Sequence, residues 1–296
     1  MRLIAKTLVP LLFGLLGAAE LAHAVAGCGR WGCGTNSPHV EGAQVGSLLP
    51  GWGSNLNSPL AGSAAVAGAP FHELAVGATR LSLPLPVGTT IELHDADGAR
   101  HSMRVAGHGR TRFWAGSDRP LTTHVLVWAG DVQRHAVCTT GANEAILYAG
   151  DRYDARRMTV TATGAAADGW LNIACAGTAL AKLYLMRHTE ASQEVATTRA
   201  ERQAMLKMLA ADVHGDGRSF TVAGQPLHWA DAKQITRFGA PTGAVEAVWN
   251  ENGAVCLNVP RIAALEGAIS AQGKRPPRCE HFDALPQGHV VSAHPR

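Results

Sequence analysis

Three residues whose side chains can bind a cation or transfer a proton alternate along one short stretch of this sequence. Asp212, His214 and Asp216 are each two residues apart, and Gly217 follows them. Carboxylate and imidazole groups at this spacing can bind calcium or a transition metal, and an aspartate beside a histidine can act as an acid–base pair. An EF-hand calcium loop needs a glutamate at its twelfth position, where this chain has Ala223. Such clusters more often cap a helix and satisfy a turn, and we favour that interpretation.

His228 is the fourth member of this weak candidate site. We predict that it lies on the return strand of a hairpin, so that His214 and His228 flank the same hairpin and can face each other. The sequence has no G-x-S-x-G motif, no phosphate-binding P-loop and no H-E-x-x-H motif. We therefore predict no catalytic, cofactor-binding or metal-ligating residues. A hydrolase or metal-dependent enzyme that uses Asp212, His214, Asp216 and His228 is the alternative.

A second stretch, from Leu183 to Glu190, has the sequence L-Y-L-M-R-H-T-E. It resembles the signature of histidine phosphatases, in which a histidine at a strand end attacks phosphorus and a neighbouring arginine holds the phosphate oxygens. Arg187 and His188 would have these roles. Thr189 stands where that family has glycine, and too little of the chain follows for that family's α/β domain. The other interpretation is a helix end whose basic residues interact favourably with the helix dipole.

The helix and turn that would position the first cluster are predicted by local signals. Thr198 and Glu201 form a capping-box pair, which predicts the start of a helix. An apolar stripe recurs at helical spacing and consists of Ala204, Met205, Met208 and Leu209. We expect Gly215 to end this helix in the left-handed conformation. Asp216-Gly217 should form a turn, and a short hairpin should follow from Ser219 to Asp231.

Short strands with a period of two residues are predicted before this helix, separated by polar turns. These strands are Thr79 to Leu85, Thr90 to His94, His101 to Val105, His124 to Trp128, Ala145 to Ala149, Met158 to Ala162 and Trp170 to Cys175. The other predicted elements are a helix from Ala179 to Arg187, a strand pair at Val245 to Trp249 and Ala254 to Val259, and a helical turn or two from Arg261 to Ile269. Strands segregated from helices indicate an α+β fold, with short and mostly antiparallel strands, two packed helices and a C-terminal hairpin region.

Residues 1–24 have the features of a signal peptide. Arg2 and Lys6 precede an apolar run, and Ala22-His23-Ala24 fits a small-x-small cleavage site. The run is shorter than the about 20 residues of a membrane span, so we expect export, removal of the peptide and no transmembrane segment in the mature chain. Val25-Ala26-Gly27-Cys28 resembles a lipobox, so an outer-membrane lipoprotein with a lipid anchor at Cys28 is the less favoured alternative. A periplasmic or secreted protein is our prediction.

Six cysteines remain after this cleavage: Cys28, Cys33, Cys138, Cys175, Cys256 and Cys279. An even number in an exported protein indicates up to three disulfides, although the sequence cannot distinguish among the many possible pairings. Our preferred pairs are Cys28–Cys33, Cys138–Cys175 and Cys256–Cys279. The sequence has no C-x-x-C motif and no cysteine–histidine cluster at zinc spacing, which disfavours a metal site.

Composition and charge set broad limits on the class of protein. The 296 residues are 46% hydrophobic and 17% charged, with a formal net charge of +3. So small a charge does not provide the clustered basic face that nucleic-acid binding requires. We divide the chain into the signal peptide (1–24), a lead-in rich in Gly, Ser and Pro (25–70), a β-rich domain with a helical pair (71–271) and a surface tail (272–296).

Four ordered segments resemble the ADYC domain, a family of exported bacterial proteins of unknown function. They are Leu171 to Leu183, Gln203 to Gly217, Ser219 to Asp231 and Ala247 to Arg261. The resemblance covers about residues 120–280. It implies export and a shared structural framework, and it implies no catalytic residues.

The chain is a divergent member by this comparison. The family takes its name from Ala-Asp-Tyr-Cys, normally followed by Gly-Asp-Gly, and Ala211-Asp212-Val213-His214 occupies that place here. Leu183 and Met205 also stand where typical members have cysteines. The cysteines that match are Cys138, Cys175 and Cys256. Replacing both members of a disulfide together avoids a free thiol in an oxidising compartment.

The function favoured by these features is that of a non-catalytic structural or binding protein of the bacterial envelope, stabilised by disulfides. The first alternative is the hydrolase or metal-dependent enzyme described above. The second, less favoured, is a histidine-phosphatase-like phosphohydrolase that uses Arg187 and His188. The positions of these side chains in the fold distinguish the three hypotheses, because an enzyme needs them to converge in an open cleft.

Overall fold

The structure, a computed structural model, describes residues 72–295 apart from 77–78, 95–99, 117–118, 130–134, 140–142, 155–156, 168–169, 239–243 and 281–284. The predicted signal peptide and the lead-in, residues 1–24 and 25–70, lie outside the described residues. Cys28 and Cys33 lie there too, so their pairing and the lipid anchor at Cys28 stay predictions.

The strands of the first half form two hairpins and one five-stranded sheet, all antiparallel. In chain order they are β1 (His72–Val76), β2 (Thr79–Leu83), β3 (Thr90–His94), β4 (Arg100–Arg112), β5 (Pro120–Trp128), β6 (Glu144–Tyr148), β7 (Asp151–Asp154), β8 (Thr159–Thr163) and β9 (Asn172–Cys175). β1 pairs with β2, and β7 pairs with β8. The other five strands form the first sheet in the order β3-β4-β5-β6-β9.

Two helices follow β9 and pack against each other. They are α1 (Ala179–Leu185) and α2 (Arg199–Ala210). The capping box predicted for α2 is present: the Thr198 side chain accepts a hydrogen bond from the N–H of Glu201, and the Glu201 carboxylate accepts one from the N–H of Thr198. Every residue of α2 from Glu201 to Ala210 is buried, including the predicted apolar stripe.

A second antiparallel sheet is built from the rest of the chain. Its strands are β10 (His228–Asp231), β11 (Arg237–Phe238), β12 (Val245–Asn250), β13 (Gly253–Leu257) and β14 (Val290–Ala293). A third helix, α3 (Glu266–Gln272), lies between β13 and β14 in the chain. The strand order is β11-β10-β14-β12-β13. None of the helices in the described part of the chain is long and apolar enough to cross a membrane.

Strand β6 of the first sheet is buried on both faces. Ile146 and Tyr148 belong to a large core that also contains the apolar residues of α1, α2 and the second sheet. Ala145 and Leu147 point to the opposite face and belong to a smaller core. Helix α2 packs against α1 and β8 and against three strands of the second sheet. It therefore joins the β7–β8 hairpin to the second sheet, and α1 connects it to β9 of the first sheet.

The predicted α+β fold with mostly antiparallel strands and two packed helices is confirmed. Most predicted elements overlap an observed one, and β3 has the predicted bounds. The hairpin around Asn252-Gly253 is also present as β12 and β13. Strong local signals, such as period-two alternation and a capping box, were sufficient for these elements.

Two local predictions just after α2 are wrong. The helix ends at Ala210, and Ala211, with φ of 51°, takes the left-handed conformation that was predicted for Gly215. Gly215 has φ of 71° in the next turn, where an added Cβ would lie 2.1 Å from the carbonyl oxygen of Asn252. The hairpin predicted from Ser219 to Asp231 is reduced to its return strand, β10, because β10 pairs with β11 and β14 instead.

The prediction of a surface tail over residues 272–296 is wrong for the last described strand. β14 lies between β10 and β12, in the middle of the second sheet. Val290 is 2% exposed and Ser292 is fully buried. The strand is only four residues long and follows a proline-rich stretch, so its sequence lacked the length that identifies a strand.

Two disulfides are present in the described residues, and they are two of the pairs preferred from the sequence. Cys138–Cys175 joins the chain after β5 to the end of β9. Cys256–Cys279 joins β13 to the segment that follows α3. No cysteine of the described residues is free. Each disulfide fastens an edge strand of a five-stranded sheet to a non-regular segment.

A buried histidine connects β5 to the chain before β3. His124 is 1% exposed, and its Nε2 accepts a hydrogen bond of 3.0 Å from the N–H of Leu85. His108 on β4 contacts the His124 ring edge-on and forms a 2.7 Å hydrogen bond with the carbonyl oxygen of Leu85. Burial, together with the charge of His108, lowers the pKa of His124 to about 3. The folded protein therefore requires neutral His124.

Replacing His124 with glutamine should reduce the loss of stability in acid. Between pH 6.5 and about pH 3 the unfolded chain binds a proton at His124 and the folded chain does not, so the free energy of unfolding falls as the pH drops. At about 1.4 kcal/mol per pKa unit, the full loss is about 5 kcal/mol. Urea unfolding at a series of pH values measures the slope, which should be shallower in His124→Gln than in the wild type.

His135→Gln is the matched control, because His135 is exposed. In acid, His135→Gln should lose more free energy of unfolding than His124→Gln does. Parallel curves for His124→Gln and the wild type would show that His124 is not the group responsible.

Candidate functional site

Asp212, the first residue of the candidate cluster, is completely buried at the end of α2. Its Oδ2 atom accepts hydrogen bonds from Lys207 Nζ and, at 2.9 Å, from the N–H of Gly217. Lys207 is 1% exposed and also donates to the carbonyl oxygens of Arg157 and Gly215. The carboxylate therefore closes the turn after α2, and the lysine joins that turn to the start of β8.

The electrostatics of this corner are those of a buried ion pair. Burial raises the pKa of Asp212, and the ammonium group of Lys207 acts in the opposite direction. Both side chains lie in the interior, where an ionised group without a partner costs several kcal/mol. Each of these two side chains therefore supplies the opposite charge that the other requires in the interior.

His214 points away from Asp212 and towards α3. Its Nε2 donates a 2.9 Å hydrogen bond to the carbonyl oxygen of Ile269. The ring packs edge-on against Phe220, with centroids 5.9 Å apart. Gly273 lies so close that an added Cβ would be 3.2 Å from the imidazole. The imidazole thus attaches the short α3 to the turn after α2.

Asp216 and His228, the other two members of the predicted cluster, lie in different surroundings. Asp216 is exposed and accepts hydrogen bonds from Gln272 Nε2 at 2.7 Å and from the N–H of Arg218 at 3.1 Å. Burial alone would raise the pKa of Asp216, but these hydrogen bonds lower it below its usual value. His228 lies in β10 opposite Ala293. The hairpin that should place His214 and His228 face to face is not formed.

The structure offers no ready site for a metal ion within its described residues. No group of three or more histidine, cysteine, aspartate or glutamate side chains in that part of the chain is arranged to hold one. The predicted cluster fails this test because Asp212 points into the core, His214 towards α3 and Asp216 towards solvent. A calcium or transition-metal site needs several such ligands converging on one point.

Arg187 and His188 lie at the end of α1 and not at the end of a strand. The Arg187 guanidinium donates to the carbonyl oxygens of Ser192, at 3.0 Å, and Ala115, at 3.3 Å. It also forms a 2.8 Å ion pair with Glu194 and lies over the Phe113 ring. The protein itself therefore satisfies the planar group that would hold a phosphate. The sheets are antiparallel, unlike the parallel sheet that the phosphatase hypothesis requires.

His188 borders a small cavity that the sequence did not reveal. The cavity has room for about one water molecule. Its lining residues are His188, Thr197, Glu201, Asp231, Ala232, Lys233, Ile235, Gly288, His289 and Val290. His188 Nδ1 donates a 2.8 Å hydrogen bond to the carbonyl oxygen of Met186, and its Nε2 lies 3.8 Å from Asp231 Oδ2. Imidazole and carboxylates come together here more closely than at the predicted cluster.

The polar groups around this cavity are also engaged in holding the backbone. Asp231 accepts hydrogen bonds from the N–H groups of Lys233, Ile235 and Thr236. Glu201 combines its capping role with a 2.9 Å ion pair to Lys233. Burial lowers the pKa of His188, and the nearby Asp231 carboxylate acts in the opposite direction. The space is too small for an organic substrate, which needs a pocket of several hundred Å³.

Sequence reasoning missed this cluster because its members are far apart in the chain. His188 follows α1, whereas Asp231 ends β10. From the sequence alone, Glu201 is identified only as a capping residue of α2, and Asp231 only as the last residue of a predicted hairpin. No short motif contains both His188 and Asp231, so only the tertiary fold could bring them together.

Two further buried charged groups lie beside α1 and α2. Arg202 is 2% exposed and lies 3.3 Å from Asp151, whose pKa is raised by burial and lowered in part by Arg202. Lys182 in α1 is 1% exposed, and burial lowers its pKa to about 7. A lysine with such a pKa can be a nucleophile, but it needs access to a substrate. Lys182 lies in the core.

Replacing Lys207 with methionine should strongly destabilise the fold. Methionine keeps most of the volume but leaves Asp212 buried without its cationic partner, which costs about 3–5 kcal/mol of unfolding free energy. Asp216→Asn is the matched control, since Asp216 is exposed and its replacement should change stability by less than about 0.5 kcal/mol. Chemical denaturation of both variants measures the difference. Similar losses for the two would contradict a structural role for the Lys207–Asp212 pair.

Comparison with known proteins identifies a domain family whose match includes α2 and the turn that follows it. A family model described as the ADYC domain matches residues 86–263, which is more than half of the chain. The match includes both helices at the centre of the fold and the strands from β3 to β13. No curated protein and no solved structure matches the chain. The resemblance noted in the four sequence segments is thus confirmed, and the chain belongs to the ADYC domain family.

Proposed function

We propose that this chain is an exported, non-catalytic structural or binding domain of the bacterial envelope, either periplasmic or secreted. One observation carries the proposal: the acidic and basic groups that suggested chemistry form hydrogen bonds within the protein. Asp212 is bonded to Lys207 and Gly217, and His214 to Ile269. A catalytic residue must instead present its reactive atom to a substrate.

The disulfides support the exported location. Cys138–Cys175 and Cys256–Cys279 link segments 37 and 23 residues apart in the sequence. Such bonds persist in oxidising compartments and are rare in the cytosol of most bacteria. The N-terminal sequence supports the same location, with its basic residues, apolar run and Ala22-His23-Ala24 cleavage site.

The enzymatic alternatives receive less support from the geometry. A hydrolase or metal-dependent enzyme would need Asp212, His214, Asp216 and His228 to converge, and the first three have separate partners. A phosphohydrolase would need Arg187 to bind phosphate, and its guanidinium is held by Ser192 and Glu194. We therefore keep the non-catalytic function as the proposal.

Export can be tested by producing the full-length chain in a Gram-negative bacterium and measuring the intact mass of the protein from each cell fraction. We expect a periplasmic or secreted protein that begins at Val25, with its cysteines oxidised. The mass would instead reveal a diacylated or triacylated Cys28 if the lipobox is used. A cytoplasmic protein that retains residues 1–24 and has six free thiols would overturn the proposal.

The absence of catalysis is tested on the same purified protein. Metal analysis and turnover of chromogenic esters and phosphate esters should show no stoichiometric metal and no activity above background. Any activity should be compared with that of His214→Gln, in which the amide can still donate to the Ile269 carbonyl. A metal or an activity that disappears in His214→Gln, with stability unchanged, would favour the hydrolase or metal-dependent enzyme.

A further inference from the structure

The small cavity beside His188 lies where four segments of the chain meet. His188 follows α1, Glu201 belongs to the first turn of α2, Asp231 ends β10 and Val290 begins β14. All four residues line the cavity. The hydrogen bonds formed inside it therefore contribute to the junction between the two helices and the second sheet.

A hydrogen bond to the backbone determines which nitrogen of His188 carries a hydrogen. Nδ1 lies 2.8 Å from the carbonyl oxygen of Met186, and a carbonyl oxygen can only accept, so Nδ1 is the donor. In a neutral imidazole the other nitrogen, Nε2, then has a lone pair and no hydrogen. Burial lowers the pKa of His188 and favours this neutral form, although the Asp231 carboxylate acts in the opposite direction. Neutral His188 therefore presents Nε2 as a hydrogen-bond acceptor.

The nearest charged atom to Nε2 is also an acceptor. Asp231 Oδ2 lies 3.8 Å from Nε2 and accepts a 2.7 Å hydrogen bond from the N–H of Thr236. A separation of 3.8 Å is too long for a direct hydrogen bond between the ring and the carboxylate. Within the described residues, no N–H or O–H group donates to Nε2. Two buried acceptors therefore lie side by side, an arrangement that is unfavourable unless a third group donates to both.

A donor between these two atoms has to be small. The cavity that His188 and Asp231 both line has room for about one water molecule. Water has two hydrogens on one oxygen, so it can donate one to Nε2 and the other to Oδ2. An oxygen atom about 2.8 Å from each acceptor, an ordinary hydrogen-bond distance, is compatible with their separation of 3.8 Å.

The lining residues also include a donor for the oxygen of such a water. Lys233 Nζ has three hydrogens and donates two of them, to the carbonyl oxygen of Ala196 at 2.8 Å and to Glu201 Oε2 at 2.9 Å. In the part of the chain that the structure describes, no acceptor takes the third hydrogen, and Lys233 lines the cavity. Buried water molecules typically form about three hydrogen bonds. Two acceptors and one donor meet that requirement.

We propose that this cavity is a binding site for one water molecule, which donates to His188 Nε2 and Asp231 Oδ2 and so links the end of α1 to the end of β10. A larger guest does not fit, and an apolar one would leave both acceptors unpaired. The bound water also stabilises neutral His188, because it donates to the lone pair that a proton would otherwise occupy. This inference does not depend on export or on the absence of catalysis.

The protonation of His188 is the first test, measured by NMR on the full-length chain. Proton–nitrogen correlation spectra of the imidazole distinguish a nitrogen with a lone pair from one that carries a hydrogen. At neutral pH we expect a hydrogen on Nδ1 of His188 and a lone pair on Nε2. His188→Asn identifies the signals by their loss, and the asparagine amide can still donate to the Met186 carbonyl.

His124 is the internal control for this measurement. Its Nε2 accepts a hydrogen bond from the N–H of Leu85, so it should have the same tautomer as His188. If His188 is an imidazolium at neutral pH while His124 is neutral, the proposal is wrong, because Nε2 would then be a donor.

A high-resolution crystal structure of the full-length chain at neutral pH tests the water itself. We expect one ordered water molecule within about 3.2 Å of both His188 Nε2 and Asp231 Oδ2. The crystals should be grown without ammonium salts, because an ammonium ion is similar in size to water and also donates hydrogen bonds. An empty cavity, or a ring that has moved into direct contact with the carboxylate, would overturn the proposal.

Discussion

Helix α2 has charged side chains that are buried in the centre of the molecule, and the surrounding segments must provide polar partners for them. Arg202 donates to the carbonyl oxygen of Thr197 at 2.8 Å and pairs with Asp151. Gln203 bonds to the backbone of β8 and of the residue before it. Lys207 pairs with Asp212. Because a buried charge without a partner costs several kcal/mol, these contacts fix the position of β8 and of the corner after the helix.

This requirement explains why the residues that suggested chemistry have structural roles. Asp212 lies where the family has the aspartate of its Ala-Asp-Tyr-Cys motif, and here it neutralises a lysine of α2. His214 stands in the place of the motif's cysteine, and its imidazole bonds to the backbone of α3. This hydrogen bond attaches α3 to the corner, and the edge-on contact with Phe220 packs the imidazole against the segment after the turn. In this chain the motif is the point where α2, the following turn and α3 are joined.

The parts of the fold that could be predicted from sequence depend on neighbouring residues. The capping box of α2 needs only Thr198 and Glu201, and the β12–β13 hairpin needs only Asn252-Gly253 and the flanking alternation. The two disulfides join successive cysteines of the chain, which made their pairing the simplest choice. Such signals lie within a short window and are weakly affected by the rest of the molecule.

The parts that could not be predicted depend on contacts between distant segments. β10 has no hairpin partner because its ladder is completed by β14, about 60 residues later. His188 and Asp231 meet only after α1 and the second sheet have docked. The pairing of Lys207 with Asp212 could have been predicted from the sequence, because a lysine in the last turn of a helix lies close to the residues just beyond that helix. The buried Lys182 gave no signal in a sequence of ordinary helix formers.

The order of the strands along the chain has a consequence for biosynthesis. β14 follows all of its partners, so it is the last part of the second sheet to be synthesised. Until it arrives, β10 and β12 have unpaired edges, and the Trp249 indole N–H has no serine to bond. Nascent chains with exposed strand edges are prone to associate with one another and are typical substrates of chaperones. The completion of this sheet therefore waits for the last of its strands to be synthesised.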